Sequence, residues 1–289
     1  MIDYSLRSFT KAVWSGKLVQ GQYRKSNDSP SKIIPKLFRR VECLCWRSLL
    51  GELYICTLLY VETIVPAGNR GMKALVAGAT GQTGKRIVKQ LVAEGIAVKA
   101  LVRDRQKAMT ELPDVEVVVG DVLELASLDA ALEGVEVLLS ATGAAPSLDP
   151  TGPYKVDYEG NKNLVDAAKR AGVKQFVMVS SMCVSKLFHP LNLFWGILYW
   201  KQQAEDYLKA SGVPYTIVRP GGLRNEDDSK AIVMSSADTL FEGSIPREKV
   251  AQICVAALSE DAARNKVVEV VTSEDAAALP LATLFANVG

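Results

Sequence analysis

From Met72 to its end, the chain reads as a doubly wound α/β domain, a mainly parallel sheet with helices on both faces. Short β-branched runs alternate with amphipathic segments along the whole of this stretch. Where the first run meets the first amphipathic segment, Gly78, Gly81 and Gly84 stand three residues apart. With 289 residues, 48% of them apolar, the chain can bury a substantial core.

The expected strands are KALVAG (73–78), AVKALVR (97–103), VEVVVG (115–120), VEVLLSA (135–141), KQFVMVSS (174–181), YTIVRP (215–220) and KVVEVV (266–271). Most are apolar at successive positions, so both faces need cover, as in a parallel sheet under helices. The covering helices are read in TGKRIVKQLVAEG (83–95), NKNLVDAAKRAG (161–172) and REKVAQICVAAL (247–258), where apolar residues recur at helical spacing. No internal repeat or low-complexity segment divides this stretch, so residues 72–289 are expected to form one domain.

Residues 1–71 have a different character. They hold 11 Lys/Arg against 5 Asp/Glu, whereas residues 72–289 hold 23 against 27. Three readings stay open: a reading frame extended upstream of a true start at Met72, a basic targeting peptide, and a functional appendage. SLLGELYICTLLYVETIVPAG (48–68) is apolar but carries Glu52 and Glu62. Each acid at mid-membrane costs roughly 2.5 to 3.5 kcal/mol, which disfavours a spanning helix and leaves an interfacial segment open. A start at Met72 implies the cytoplasm, with or without peripheral membrane contact; a cleaved leader implies a plastid.

The composition excludes several classes of function. A net charge of +2 supplies no global field for nucleic acid. Cys43, Cys45, Cys56, Cys183 and Cys254 show neither metal-ligand spacing nor an even disulfide framework, so no metal site is expected. His189 is the only histidine and has no triad partners in the sequence, which argues against Ser-His-Asp hydrolysis.

The three glycines point to a dinucleotide. In such a turn Gly78 permits the bend after the strand, Gly81 admits the pyrophosphate and Gly84 lets helix pack on strand. Thr80, Gln82 and Thr83 complete the cradle at a helix start whose free N–H groups and dipole favour phosphate. At the end of the second strand an acid would bind the ribose of NAD, and an arginine the 2′-phosphate of NADP. Arg103 stands there, with Arg105 and Lys107 close by, so NADP is expected over NAD. Asp104 is read either as a ribose acid or as a helix cap. Asp121 and Val122 end the third strand beside the adenine position, and Ala141, Thr142 and Gly143 end the fourth over the cofactor crevice.

Together the blocks GATGQTGKRIV, VRD, GDV, VDYEGNKNLVDAAKRAGVKQFVMVSS, KQQAEDYLKASGVPYTIVRPGGL and EGSIPREKVAQICVAAL resemble the atypical short-chain dehydrogenase/reductase family. The likeness is to its NmrA-like and chloroplast or cyanobacterial NAD(P)-binding members, and it covers 72–289. It implies a Rossmann domain. It also implies a Tyr-x-x-x-Lys pair working with a serine, the lysine holding the nicotinamide ribose and lowering the tyrosine pKa. Lys201 fits the lysine and Ser181 the serine, but Ile197 occupies the tyrosine's place. Tyr199 is two residues from Lys201 and faces away on a regular helix. Ser181 is read either as a substrate ligand or as a partner of local backbone.

At the end of the sixth strand, on the substrate side, the resemblance places Pro220, expected among the cofactor-binding residues, and Arg219, the latter read alternatively as half of a structural ion pair. SKLFHPLNLFWGILYW (185–200) is read either as a buried loop or as an apolar lip for a small-molecule acceptor, a protein partner or a membrane surface. The expected function is an NADPH-dependent reductase of a flavin, quinone or other conjugated carbonyl compound. The alternative is a non-catalytic NADP(H)-binding regulator or assembly scaffold, and a nucleotide-sugar epimerase is a weaker third.

Overall fold

The computed structural model describes residues 71–289 apart from 114, 145–148, 187 and 194. The extension 1–70, with its expected leader and apolar stretch, lies outside the described residues. In chain order the elements are β1 (Lys73–Ala77), α1 (Gly84–Ala93), β2 (Ala97–Val102), α2 (Arg105–Glu111), β3 (Glu116–Val119), α3 (Leu125–Leu132) and β4 (Val137–Ser140). A π-helical stretch (Pro153–Glu159) then leads into α4 (Gly160–Ala171), followed by β5 (Gln175–Val179), α5 (Ile197–Ala210), β6 (Tyr215–Pro220) and β7 (Gly222–Arg224). The chain closes with β8 (Ala231–Ser236), β9 (Ser244–Pro246), α6 (Arg247–Ala256), β10 (Lys266–Ser273) and α7 (Leu281–Asn287).

The sheet runs β3-β2-β1-β4-β5-β6-β10-β8. Its pairs are parallel except β10 with β8, where Val270 faces Met234 on an antiparallel edge. Alternate strand residues feed two cores. Ala74, Val76, Ala100 and Leu139 pack with Ile87, Val88 and Leu91 of α1 and with α6 and α7. Leu75, Ala77, Leu138 and Phe176 point the other way, onto α3, α4 and α5. This is the expected doubly wound arrangement. All seven expected strands form, with ends shifted by two residues at most. Three strands were not expected: the edge strand β8, half-exposed and ending in serines, and the three-residue β7 and β9, which pair with each other. Each is too short or too open to show a buried apolar run.

Strand order reverses between β2-β1 and β4-β5, so the connections after β1 and β4 diverge and leave a crevice at the carboxyl ends. The first connection is held by backbone contact. Gly78 has φ +76°, and a Cβ there would stand 2.7 Å from the Ala141 carbonyl oxygen. A Cβ on Gly84 would stand 2.1 Å from the Gly78 carbonyl oxygen. Helix α1 therefore starts against the turn with no room for a side chain. Gly84→Ala is expected to lower stability by about 1–3 kcal/mol through overpacking against rigid backbone, read from urea denaturation midpoints.

Candidate functional site

The crevice is a cavity of about 510 Å³. Gly78, Thr80 and Gly81 from the first turn line its floor, Arg103 and Lys107 one end, and Asp121 and Val122 the adjoining wall. Ala141, Thr142 and Gly143 from the end of β4 close the opposite side. Nine expected cofactor residues thus line this one crevice. Gln82, Thr83 and Gly84 stand just behind it, in the turn and first residue of α1.

The helix start suits an anion. Thr83 makes no side-chain capping bond and no acid lies in the first turn of α1, so the helix's own first turn leaves the positive end of the dipole uncompensated. Asp104 takes the second of its two readings: its Oδ1 accepts from the Lys107 N–H at 3.1 Å and caps α2. That turns the ribose-acid candidate onto its own helix and leaves Arg103 and Lys107 as the charged side chains at this end. Asp121 is held in a turn by the Leu123 N–H, 3.0 Å from its Oδ1, and Asn163 fixes the Val122 carbonyl at 3.0 Å.

At the other end, Lys201 Nζ lies 2.8 Å from Asp157 Oδ1 and beside Gly143. Asp157 is fully buried. Its second oxygen accepts the Ala144 N–H at 3.1 Å, and its backbone carbonyl accepts from Asn161 Nδ2 at 2.9 Å. Asn161 Oδ1 in turn accepts from the hydroxyls of Ser140, at 2.7 Å, and Thr142, at 3.3 Å. Neither Asp157 nor Asn161 was singled out from sequence. The block VDYEGNKN contains both, but its first half is π-helical, and i→i+5 bonding breaks the 3.6-residue rule that assigns faces.

The serines divide. Ser181 Oγ donates to the Met182 carbonyl at 3.1 Å, the local-backbone reading. Ser180 Oγ donates to Glu205 Oε1 at 2.5 Å. Glu205 and Arg219 form a buried two-pronged pair at 2.7 to 3.2 Å, and Arg219 also reaches Asp238 at 2.9 Å and Glu269 at 3.4 Å. Burial works against the Arg219 charge, but the hydrogen bonds and field of Glu205, with Asp238 and Glu269 behind it, prevail and raise its pKa above the ordinary value. Arg219 is therefore the structural ion pair of its two readings. Pro220 is a buried sheet residue opposite Val270, its carbonyl accepting the Met182 N–H, and stands off the crevice wall.

Segment 185–200 is an open surface over much of its length, in place of the buried loop. Phe188 is 96% and Leu193 85% exposed, with Leu191, Trp195 and Tyr199 also exposed; Leu187 and Phe194 lie outside the described residues. Tyr154, Tyr158 and Tyr199 surround the Trp200 ring at centroid distances of 4.9 to 5.7 Å, next to Lys201 in sequence. His189 Nδ1 accepts the Leu191 N–H at 3.2 Å, which makes it a turn residue. No helix among the described residues is long and apolar enough to cross a membrane.

A family model described as NAD(P)H-binding matches residues 78–261. The chain belongs to the NAD(P)H-binding family. An uncharacterised chloroplastic protein of Arabidopsis thaliana is 46% identical over 230 residues, 75% of this chain and 82% of that protein. Sanguinarine reductase of Eschscholzia californica is 32% identical over 240 residues, 68% of this chain and 88% of that enzyme. Among solved structures, a putative NAD-dependent epimerase/dehydratase from Bacillus halodurans matches with a TM-score of 0.66 at 27% identity, over 74% of this chain and 99% of that one. These relatives and the shared fold place the domain that begins at β1 within the NAD(P)H-binding family.

In this member of the NAD(P)H-binding family the site stands on a charged frame. Arg219→Met leaves Glu205 and Glu269 buried without their cation, and stability is expected to fall by about 3–5 kcal/mol. Thermal and urea denaturation read the loss, and an unchanged midpoint would show that the cluster does not hold α5 to the sheet.

Proposed function

We propose that the chain is an NADPH-dependent reductase of planar conjugated acceptors such as quinones, flavins or enones. The observation that carries this reading is the crevice itself. A glycine turn pressed against backbone and an uncapped, acid-free helix start adjoin Arg103 and Lys107 at one end, while Lys201 stands beside Gly143 at the other. The glycines and α1 N–H groups would hold the pyrophosphate, and Arg103 and Lys107 the 2′-phosphate. Asp121 and Val122 would border the adenine, and Lys201 the ribose beyond Gly143. When bound, NADPH supplies a hydride.

The chain's own residues narrow the acceptor. Ile197 begins α5 and packs with Met182, Cys183, Val184 and Leu198, so no acid stands where a substrate oxygen would take its proton. Acceptors whose reduced form draws a proton from solvent fit such a site. The exposed apolar residues of 188–199 beside Trp200 suit a flat, apolar molecule, and sanguinarine reductase is by its name a reductase.

The test follows NADPH absorbance with purified protein and a panel of quinones, flavins and enones. Acceptor-dependent oxidation is expected. Stoichiometric NADPH binding without turnover on any acceptor would replace the reductase with the scaffold reading. In the same experiment Arg103→Ala is expected to weaken NADPH by about tenfold or more, the value of a charge-assisted phosphate contact, and to leave NADH unchanged.

We also place the chain in a plastid. The Arabidopsis relative is named chloroplastic, and the basic, acid-poor segment 1–40 has the composition of a transit peptide. A fluorescent fusion of residues 1–71 in plant cells should enter chloroplasts and lose its leader. A fusion that stays uncleaved in the cytosol would restore the cytoplasmic reading.

A further inference from the structure

We propose that Asp157 is a positioning residue of the cofactor site, acting on the bound nucleotide through Lys201; this rests on the NADPH reading above. The crevice runs from Arg103 and Asp121, past the glycine turn, to Gly143 and Ala144. A dinucleotide with its phosphates at the glycine turn and its adenine near Asp121 carries its second ribose toward Gly143. There, among the described residues, stand Lys201, largely buried, and behind it the fully buried carboxylate of Asp157.

Both oxygens of that carboxylate are committed. Oδ2 accepts the Ala144 N–H and fixes the loop that leaves β4. Oδ1 lies 2.8 Å from Lys201 Nζ but outside hydrogen-bond alignment. It therefore meets the ammonium as a charge contact and not as an aligned hydrogen bond. A lysine has four rotatable side-chain bonds and loses considerable rotamer freedom when held. The ion pair imposes that ordering before the nucleotide arrives, which is how preorganisation raises affinity. Asn161 ties the same π-helical stretch to the Ser140 and Thr142 hydroxyls, so lysine, loop and strand end are one unit.

The test is a double-mutant cycle on full-length protein with Asp157→Asn, Lys201→Met and both together. NADPH affinity is read by cofactor fluorescence and stability by thermal midpoint. Each single variant is expected to weaken NADPH by roughly tenfold, and the double variant no further, because both act on one contact. The double variant removes both charges and is expected to recover the midpoint lost by the singles while its affinity stays low. Adenosine 2′,5′-bisphosphate, which lacks the nicotinamide half, should bind all forms equally.

Recovery of affinity along with stability in the double variant would make the pair merely structural and overturn the proposal. So would full additivity of the two singles, an unchanged NADPH affinity in Asp157→Asn, or a parallel loss of the bisphosphate. If Asp157→Asn does not fold, Asp157→Glu takes its place, with a longer arm that displaces Nζ and the same expected loss of NADPH alone. Failure of the unaltered chain to bind NADPH at all would overturn the parent reading, and is distinguishable because no variant enters it.

Discussion

The close approach of Gly84 to the Gly78 carbonyl oxygen is the constraint on which the site depends. It brings the first turn of α1 onto the end of β1, while Gly78 in turn presses against Ala141 at the end of β4. Three elements meet there without an intervening side chain. The start of α1 is consequently held next to the part of the crevice lined by Gly78, Thr80 and Gly81, the end of a helix that favours an anion. A larger residue at either glycine would separate helix from strand and move that helix start away.

A second constraint sits on the far side of β4. Helix α5 carries Lys201 and Glu205 four residues apart, on one face. Glu205 is locked to Ser180 on the β5 side and to Arg219 on β6, and Lys201 faces Asp157. The first pair sets where the helix lies against the sheet ends, and the second sets where its lysine lies along the crevice. The energetics differ accordingly. Arg219 is deeply buried among three carboxylates and its loss would strand charge in the core, whereas Lys201 remains partly accessible and is available to a ligand.

Much of this is legible in the sequence, and each exception has its own physical cause. The seven long strands and the glycine turn showed because β-branched runs and glycine spacing are local signals. The crevice wall followed, since a parallel sheet puts residues at strand ends side by side whatever their sequence separation. β8 escaped because an edge strand with one open face carries no continuous apolar run. Asp157 escaped because a π-helical stretch changes which residues face inward, and Asp104 stayed ambiguous because capping and ribose binding ask for the same side chain. The charged cluster around Arg219 joins residues up to 64 positions apart, from Glu205 to Glu269, a distance over which no sequence pattern operates.

Position 197 brings these threads together. The residues just before it, Trp195 and Gly196, both have left-handed φ, at 58° and 69°, and the Asn192 side chain caps the N–H groups of Leu198 and Tyr199. The first turn of α5 is thus fully built by the chain, and Ile197 closes onto an apolar patch made by Met182, Cys183, Val184 and Leu198. Burial also pushes the Cys183 thiol above its ordinary pKa, against a partial offset from Lys186. A proton donor here would have to be desolvated beside hydrocarbon, which opposes any charge change during reaction. On the proposed reading this arrangement would order a nucleotide from its phosphates to its second ribose and would leave the proton to water. That division suits acceptors that need a hydride delivered in register and can take up their proton outside.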